Sequence, residues 1–345
     1  MRKLMLVLCL IAALSINANA ADFTAPEAPE DVQDLLPYEN ATFAQGLWHI
    51  LRAGFETVHP KLTQCLHSCI RILTISLLLG MIQSLPRAET VILAGKIAVA
   101  CILLEPTDTL ITQAADTIVE MGEYGKLLLP VMTGVLAAQG GGGTATALYA
   151  GTAFFTTLLG NLIANLLIPL VYIFLALSLA SAVTQDETLQ KLSKWMIQVS
   201  SKVLRIILYV FTGYLTITGV ISGAADQMAI KAAKLTISSM IPVVGNIMAD
   251  ASETILVSAG IAKGAIGIYG LWTMIALGIS PMLSIGAQYL SLKATGAACS
   301  LFSGKAVSNS TEAFASAMGL LLAMTGTMCL LIMISTVCFM KGLSG

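Results

Sequence analysis

The chain has 345 residues, of which 57% are hydrophobic and 11% charged, and its mean hydropathy is +0.86. Too few polar side chains are present to cover a water-soluble globule of this size, so the composition specifies an integral membrane protein. A formal net charge of -1 and the absence of a basic run remove the phosphate-neutralising surface that nucleic-acid binding needs.

Arg2 and Lys3, the apolar run 4–16 and the small residues Ala18-Asn19-Ala20 follow the order of a secretory signal peptide, with cleavage expected after Ala20. The alternative is an uncleaved first membrane helix, for which the run is short. Residues 21–66 read as an extracytoplasmic acidic arm. It carries Glu27, Glu30, Asp31, Asp34 and Glu39 among prolines Pro26, Pro29 and Pro37, is expected to be disordered at first, and becomes an amphipathic helix around 43–55. Cys65 and Cys69 bracket His67 within one helical turn, but a third strong ligand is missing, so they read as packed thiols and no metal site is expected.

A bilayer crossing takes about 20 apolar residues, and runs of that order fall near 68–84, 90–106, 160–183, 203–223, 264–290 and 318–340. The pattern predicts an all-α polytopic membrane protein with about six crossings. Two pairs of shorter runs lie between them. Residues 127–138 and 145–159 flank Pro130 and the glycines Gly140, Gly141, Gly142 and Gly143, while 235–248 and 255–262 flank Asp250. Each piece is about half a bilayer thick, which fits a re-entrant hairpin, because non-helical backbone at membrane depth survives only beside protein or a watery cavity. The alternative, in which each half extends to a full crossing, raises the count to roughly eight to ten.

The second half of the chain echoes the first. Pro130 in "LLLPVMTG" matches Pro242 in "SMIPVVGN", and Pro169 in "LLIPLVYI" matches Pro281 in "GISPMLSI", both at a spacing of 112 residues. An internal duplication divides the membrane part into an N-terminal transmembrane hairpin at 67–109, a first repeat at 110–223 and a second at 224–340. Lys191, Lys194, Lys202 and Arg205 put the 184–202 connection in the cytoplasm by the charge rule. Residues 107–124, with Asp108, Asp116, Glu120 and Glu123, then fall outside. Leu189, Leu192, Trp195, Met196 and Val199 recur at helical spacing opposite the lysines, which predicts a helix lying in the interface or a docking surface for a cytoplasmic partner.

The most distinctive stretch is "IPVVGNIMADASET" at 241–254. Pro242 removes a helix donor and Gly245 relaxes the backbone, so the helix is expected to break where Asp250 and Glu253, three apart, line a polar cavity. No H-E-x-x-H or G-x-S-x-G is present, and neither Gly140–Gly143 nor Gly304-Lys305 continues as a phosphate-binding loop. The inventory is that of a protein without catalytic residues or a cofactor.

This stretch, the signal peptide and the order of spans resemble the stage III sporulation protein AE family over about 40–340. The resemblance implies a subunit of the assembly joining mother cell and engulfed forespore, placed in the mother-cell-derived outer forespore membrane. Its implied partners are a cytoplasmic ATPase, ring-forming membrane proteins and the other products of the same sporulation locus. Two functions are open at this level: a channel- or permease-like subunit, and a non-conducting scaffold that anchors the other subunits.

Overall fold

The computed structural model describes residues 24–37, 41–82, 89–139, 141–184, 186–217, 245–302 and 305–341, with backbone alone over 245–263. Their regular structure is entirely helical: α1 (Glu30–Gln33), α2 (Phe43–Ile82), α3 (Glu89–Ala138), α4 (Gly142–Leu162), α5 (Ile168–Thr184), α6 (Glu187–Ile217), α7 (Gly245–Phe302) and α8 (Lys305–Lys341). A π-helical turn, Ile163–Leu167, joins α4 to α5, and the Ile168 N–H reaches back to the Ile163 carbonyl. Pro169 follows immediately; its ring has no N–H to donate and clashes with the carbonyl four residues back, and one widened turn absorbs the conflict without ending the helix.

Among the described residues, six helices are long and apolar enough to cross a membrane: Phe43–Ile82, Thr90–Ala138, Gly142–Thr184, Glu187–Thr216, Gly264–Leu301 and Val307–Lys341. The number agrees with the sequence pattern, but the lengths do not. At 1.5 Å per residue the 50-residue α3 is about 75 Å long and the 58-residue α7 about 87 Å, against roughly 30 Å of hydrocarbon.

The described residues do not show the expected re-entrant half-helices. Residues 127–138 are the last turns of α3, and 145–159 continue through the π-turn to Thr184. Pro130 does not break α3, because Pro130 and Lys126 both lie on the exposed side, where the carbonyl left without a donor is not trapped in the core. The chain reverses at Gln139–Gly141 instead, with Gly142 and Gly143 in the first turn of α4 and Gly140 outside the described residues. Around Asp250 the backbone is helical without interruption from Gly245 onward. Residues 187–217 likewise form one helix, so its first half does not lie separately in the interface. The arm is not disordered over 24–37: Ala28 and Val32 are buried in the core, and Gln33 Nε2 donates to the Ala28 carbonyl at 2.9 Å.

Contacts fix the relative directions of α2, α3, α7 and α8. Glycines on α2 meet α7, Gly46 against Trp272 and Gly54 against Ile279, so α2 and α7 run parallel. Leu128 packs on Gly270 and Met121 on Gly278, which makes α3 antiparallel to α7, while Gly122 and Gly125 face Met328 and Ile332 of α8. The Thr152 and Ser335 hydroxyls hydrogen-bond to each other in the interior, linking α4 to α8. The apolar windows of α7 and α8 are each 61% buried, against 17–33% for the other four spans, so this antiparallel pair is the centre and α2 to α6 wrap it. Small residues let these backbones approach, as they must where lipid supplies no hydrophobic force between helices.

Gly151 tests this close packing. A β-carbon there would run into the ring of Tyr214, whose hydroxyl donates to the Ala147 carbonyl at 2.9 Å, whereas one at Gly160 would meet nothing within 4 Å. Gly151→Leu is expected to cost about 1–3 kcal/mol through overpacking, and Gly160→Ala to gain about 0.5–1 kcal/mol from helix propensity. Thermal unfolding midpoints of the purified protein in detergent should therefore move in opposite directions.

Candidate functional site

The ends of α2, α5 and α7 and the starts of α3, α6 and α8 meet at one end of the bundle. Lys96, Lys191, Lys194 and Lys293 all lie there, and it is called the basic end below. Three local devices shape it. Asp186 Oδ1 accepts the Thr188 N–H at 2.7 Å and so caps the start of α6, with Glu187 on the favourable side of the helix dipole. Ser181 Oγ donates to the Asp186 carbonyl at 3.1 Å, holding α5 to the beginning of α6. Lys96 Nζ donates to the Ala182 carbonyl at 3.2 Å, placing a cation on the last turn of α5, where carbonyls lack helical partners.

These devices surround a cavity of about 720 Å³, inside the range of small-ligand sites. Lys96 enters it from α3, Ser178 from α5, Lys194 and Gln198 from α6, and Asn309, Glu312 and Ser316 from one face of α8. The Glu312 carboxylate is 3.2 Å from Lys293 Nζ, and Glu187 pairs with Lys191 at 3.4 Å, both at substantial exposure. Such pairs add a few tenths of a kcal/mol at most, so they organise charge more than they stabilise the fold. Ser178 is 7% exposed, yet its Oγ has no protein hydrogen-bond partner; the same holds for both amide atoms of Gln288, 1% exposed on α7. A buried polar atom without a partner costs free energy, and such groups gather where water or solute is accommodated.

The cavity lies inside an apolar shell. At its level, α2 exposes Leu77, Leu78 and Met81, α3 exposes Val91, Leu93 and Ile97, and α5 exposes Val183. The polar starts of α6 and α8 therefore stand level with the surfaces of their neighbours that suit lipid.

Of the residues singled out from sequence, Gly141 caps the start of α4, Gly142 and Gly143 lie in its first turn, and Pro130 lies on the exposed side of α3. Pro242 lies outside the described residues. Gly245 begins α7, and Asp250 and Glu253 follow on its backbone, with their side chains outside the described residues. Apart from Lys194, named for orientation, the cavity residues were not singled out. Their signals were Lys96 interrupting the apolar run 90–106 and the polar series Asn309, Glu312 and Ser316 ahead of the run 318–340. Cys65 and Cys69 are free thiols, and the described residues contain no cluster of three or more His, Cys, Asp or Glu able to hold a metal.

The family model described as Stage III sporulation protein AE matches residues 37–342. The Stage III sporulation protein AE of Bacillus subtilis (strain 168) is 25% identical over 175 residues, which cover 51% of this chain and 44% of that protein. The chain thus aligns with less than half the length of this curated relative. No solved structure matches. With a match that takes in all six membrane-length helices of the described residues, the chain belongs to the stage III sporulation protein AE family.

Proposed function

We propose that this protein is a multi-pass membrane subunit of the sporulation complex linking mother cell and forespore, and that within it the protein acts as a channel- or permease-like component. The carrying observation is the 720 Å³ cavity lined by Lys96, Glu312 and Ser178 inside an apolar shell. Ionisable groups at membrane depth are costly and mark solute or ion paths. Energy for transport then comes from a partner, in keeping with the ATPase and ring-forming proteins that the family resemblance implies. The sequence repeat agrees with this reading, because duplicated membrane units commonly frame a polar path.

By the charge rule the basic end faces the mother-cell cytoplasm, in an outer forespore membrane location. With the signal peptide removed after Ala20, the acidic arm and the end of α8 lie outside. The scaffold reading draws on a different observation: α3 and α7 exceed the bilayer by tens of ångströms and offer helix surface to partners beyond it.

Ser316→Phe, which fills the cavity, and Glu312→Gln, which removes its carboxylate, are expected to leave membrane abundance near the parent level and to lower sporulation at least tenfold. Purified parent protein in liposomes should pass small polar solutes that the Ser316→Phe protein does not. Parent liposomes as tight as empty ones, with sporulation still lost in the variants, would favour the scaffold.

A reporter active only in the cytoplasm should light up when inserted at Asp186 and stay silent when fused after Gly345, because α8 begins at the basic end and runs away from it. Activity at both positions would reject this orientation.

The 241–254 stretch has its own test. Asp250 and Glu253 share a helical face at a spacing of three. In the proposed role Asp250→Asn with Glu253→Gln keeps protein abundance and reduces sporulation, whereas parent-like sporulation would make them solvated surface residues.

A further inference from the structure

Two exposed stripes of opposite charge run along α3 and α6. On α3, Glu105, Asp108, Thr112, Asp116 and Glu120 follow one another at spacings of three or four and are all exposed. On α6, Lys191, Lys194, Gln198, Lys202, Arg205 and Tyr209 do the same. Spacings of three and four keep each set on one helix face. Lys202, Arg205, Glu105 and Asp116 have no ion-pair partner among the described residues, and Asp108 takes only the Tyr172 hydroxyl, at 2.8 Å. In a chain with 11% charged residues, two stripes with these members left without an ion pair need an explanation.

Their heights match. Helices α5 and α6 lead into and out of Asp186, so equal counts along each put Tyr172, and Asp108 with it, level with about Ser200, roughly 21 Å from the connection. Lys202 and Arg205 then fall between the heights of Asp108 and Asp116, and Tyr209 falls level with Asp116. Helices α3 and α6 also run in the same direction, away from the basic end. Lipid does not suit this part of α6: Lys202 and Arg205 sit between exposed apolar residues, Trp195 on one side and Ile206 and Val210 on the other. Charges in such a setting face protein or water.

We propose that this face of α6 receives α3 of a second copy of the chain in the same membrane orientation, setting Glu105, Asp108 and Asp116 against Lys202 and Arg205, with the Tyr209 hydroxyl in reach of Asp116. The two surfaces differ, so the contact is head-to-tail, and repetition gives a ring or a row of copies. Polar groups act as the glue between helices in lipid, and removing both charges from that environment together lowers the cost that each bears alone. The inference does not depend on whether the cavity conducts.

The test uses the full chain in lipid nanodiscs and bilayers, with oligomer size read by stepwise photobleaching of one dye per chain. Lys202→Glu with Arg205→Glu, and separately Glu105→Lys with Asp108→Lys, should each weaken self-association at least tenfold. Mixing these two proteins matches both faces of each unlike pair and neither face of a like pair, so the mixture should regain assemblies larger than dimers in which the two variants alternate. A chain carrying all four reversals should recover the parent distribution. Tyr172→Phe, which removes the contact of Asp108 within the chain, should leave association unchanged, and the neutral pair Lys202→Gln with Arg205→Gln should weaken it if the reversals fail to fold. A parent protein that is monomeric at every density, or assembly indifferent to these changes, would overturn the proposal.

Discussion

Everything else in the molecule rests on the antiparallel pair α7 and α8. A membrane helix satisfies its own backbone, so the remaining problem is which side chains face lipid and which face protein. Here two helices take most of the protein-facing role: α8 packs against α3, α4, α5, α6 and α7, and α7 also holds α2. The interior they form is built from methionine, alanine and small hydroxyl residues such as Met318, Ala315, Thr325 and Ser335, with glycines admitting the neighbouring chains. Most of the threonine hydroxyls turn back to carbonyls of their own helix, as Thr325 does to Leu321 and Thr336 to Ile332, and so ask nothing of a neighbour. The few hydroxyls and amides that do not, Ser178 and Gln288 among them, are therefore the informative ones.

The class of fold and the number of membrane-length helices among the described residues were legible because they depend on composition and on runs of about 20 apolar residues, which no tertiary context reverses. The ends of the helices were not. Proline and glycine were read as breaks, but Pro60, Pro106, Pro130 and Pro281 all lie inside continuous helices. Each costs one backbone hydrogen bond, and a helix tens of residues long, packed along its length, tolerates that loss. The chain does reverse between α3 and α4, with Gly141 ahead of α4 and Gly142 and Gly143 in its first turn, although the Gln139 side chain is buried there and its Oε1 has no protein hydrogen-bond partner. For the 241–254 stretch, the backbone is helical from Gly245 onward, while Pro242 and the side chains of Asp250 and Glu253 lie outside the described residues.

The cavity was only partly legible, and the reason lies in depth. A one-dimensional hydropathy trace assumes that every crossing is apolar over the same slab. In this bundle α2, α3 and α5 are apolar at the basic end, while α6 and α8 are polar there and become apolar farther along. Lys96, Ser178 and Glu312 are separated by more than 200 residues of sequence, and only the packing of three connections at one end brings them to a single cavity.

That staggering divides the surface of the molecule. Where polar α6 stands level with apolar α5, one side of the bundle suits hydrocarbon and the adjoining side does not. A lone copy in lipid would have to leave the cations of α6 against acyl chains or carry water with them, each at a cost that grows with depth. Snorkelling helps Lys191 and Lys194, close to the basic end, but a lysine or arginine side chain is too short to carry Lys202 or Arg205 back across some 20 Å. The acidic face of α3 has the complementary problem at the same height. A surface divided in this way is stable in a membrane only when its polar side is turned toward protein or an aqueous lumen, and both the conducting and the scaffolding roles require such an arrangement. The physical asymmetry of the bundle, more than any single residue, makes this a protein built to be part of an assembly.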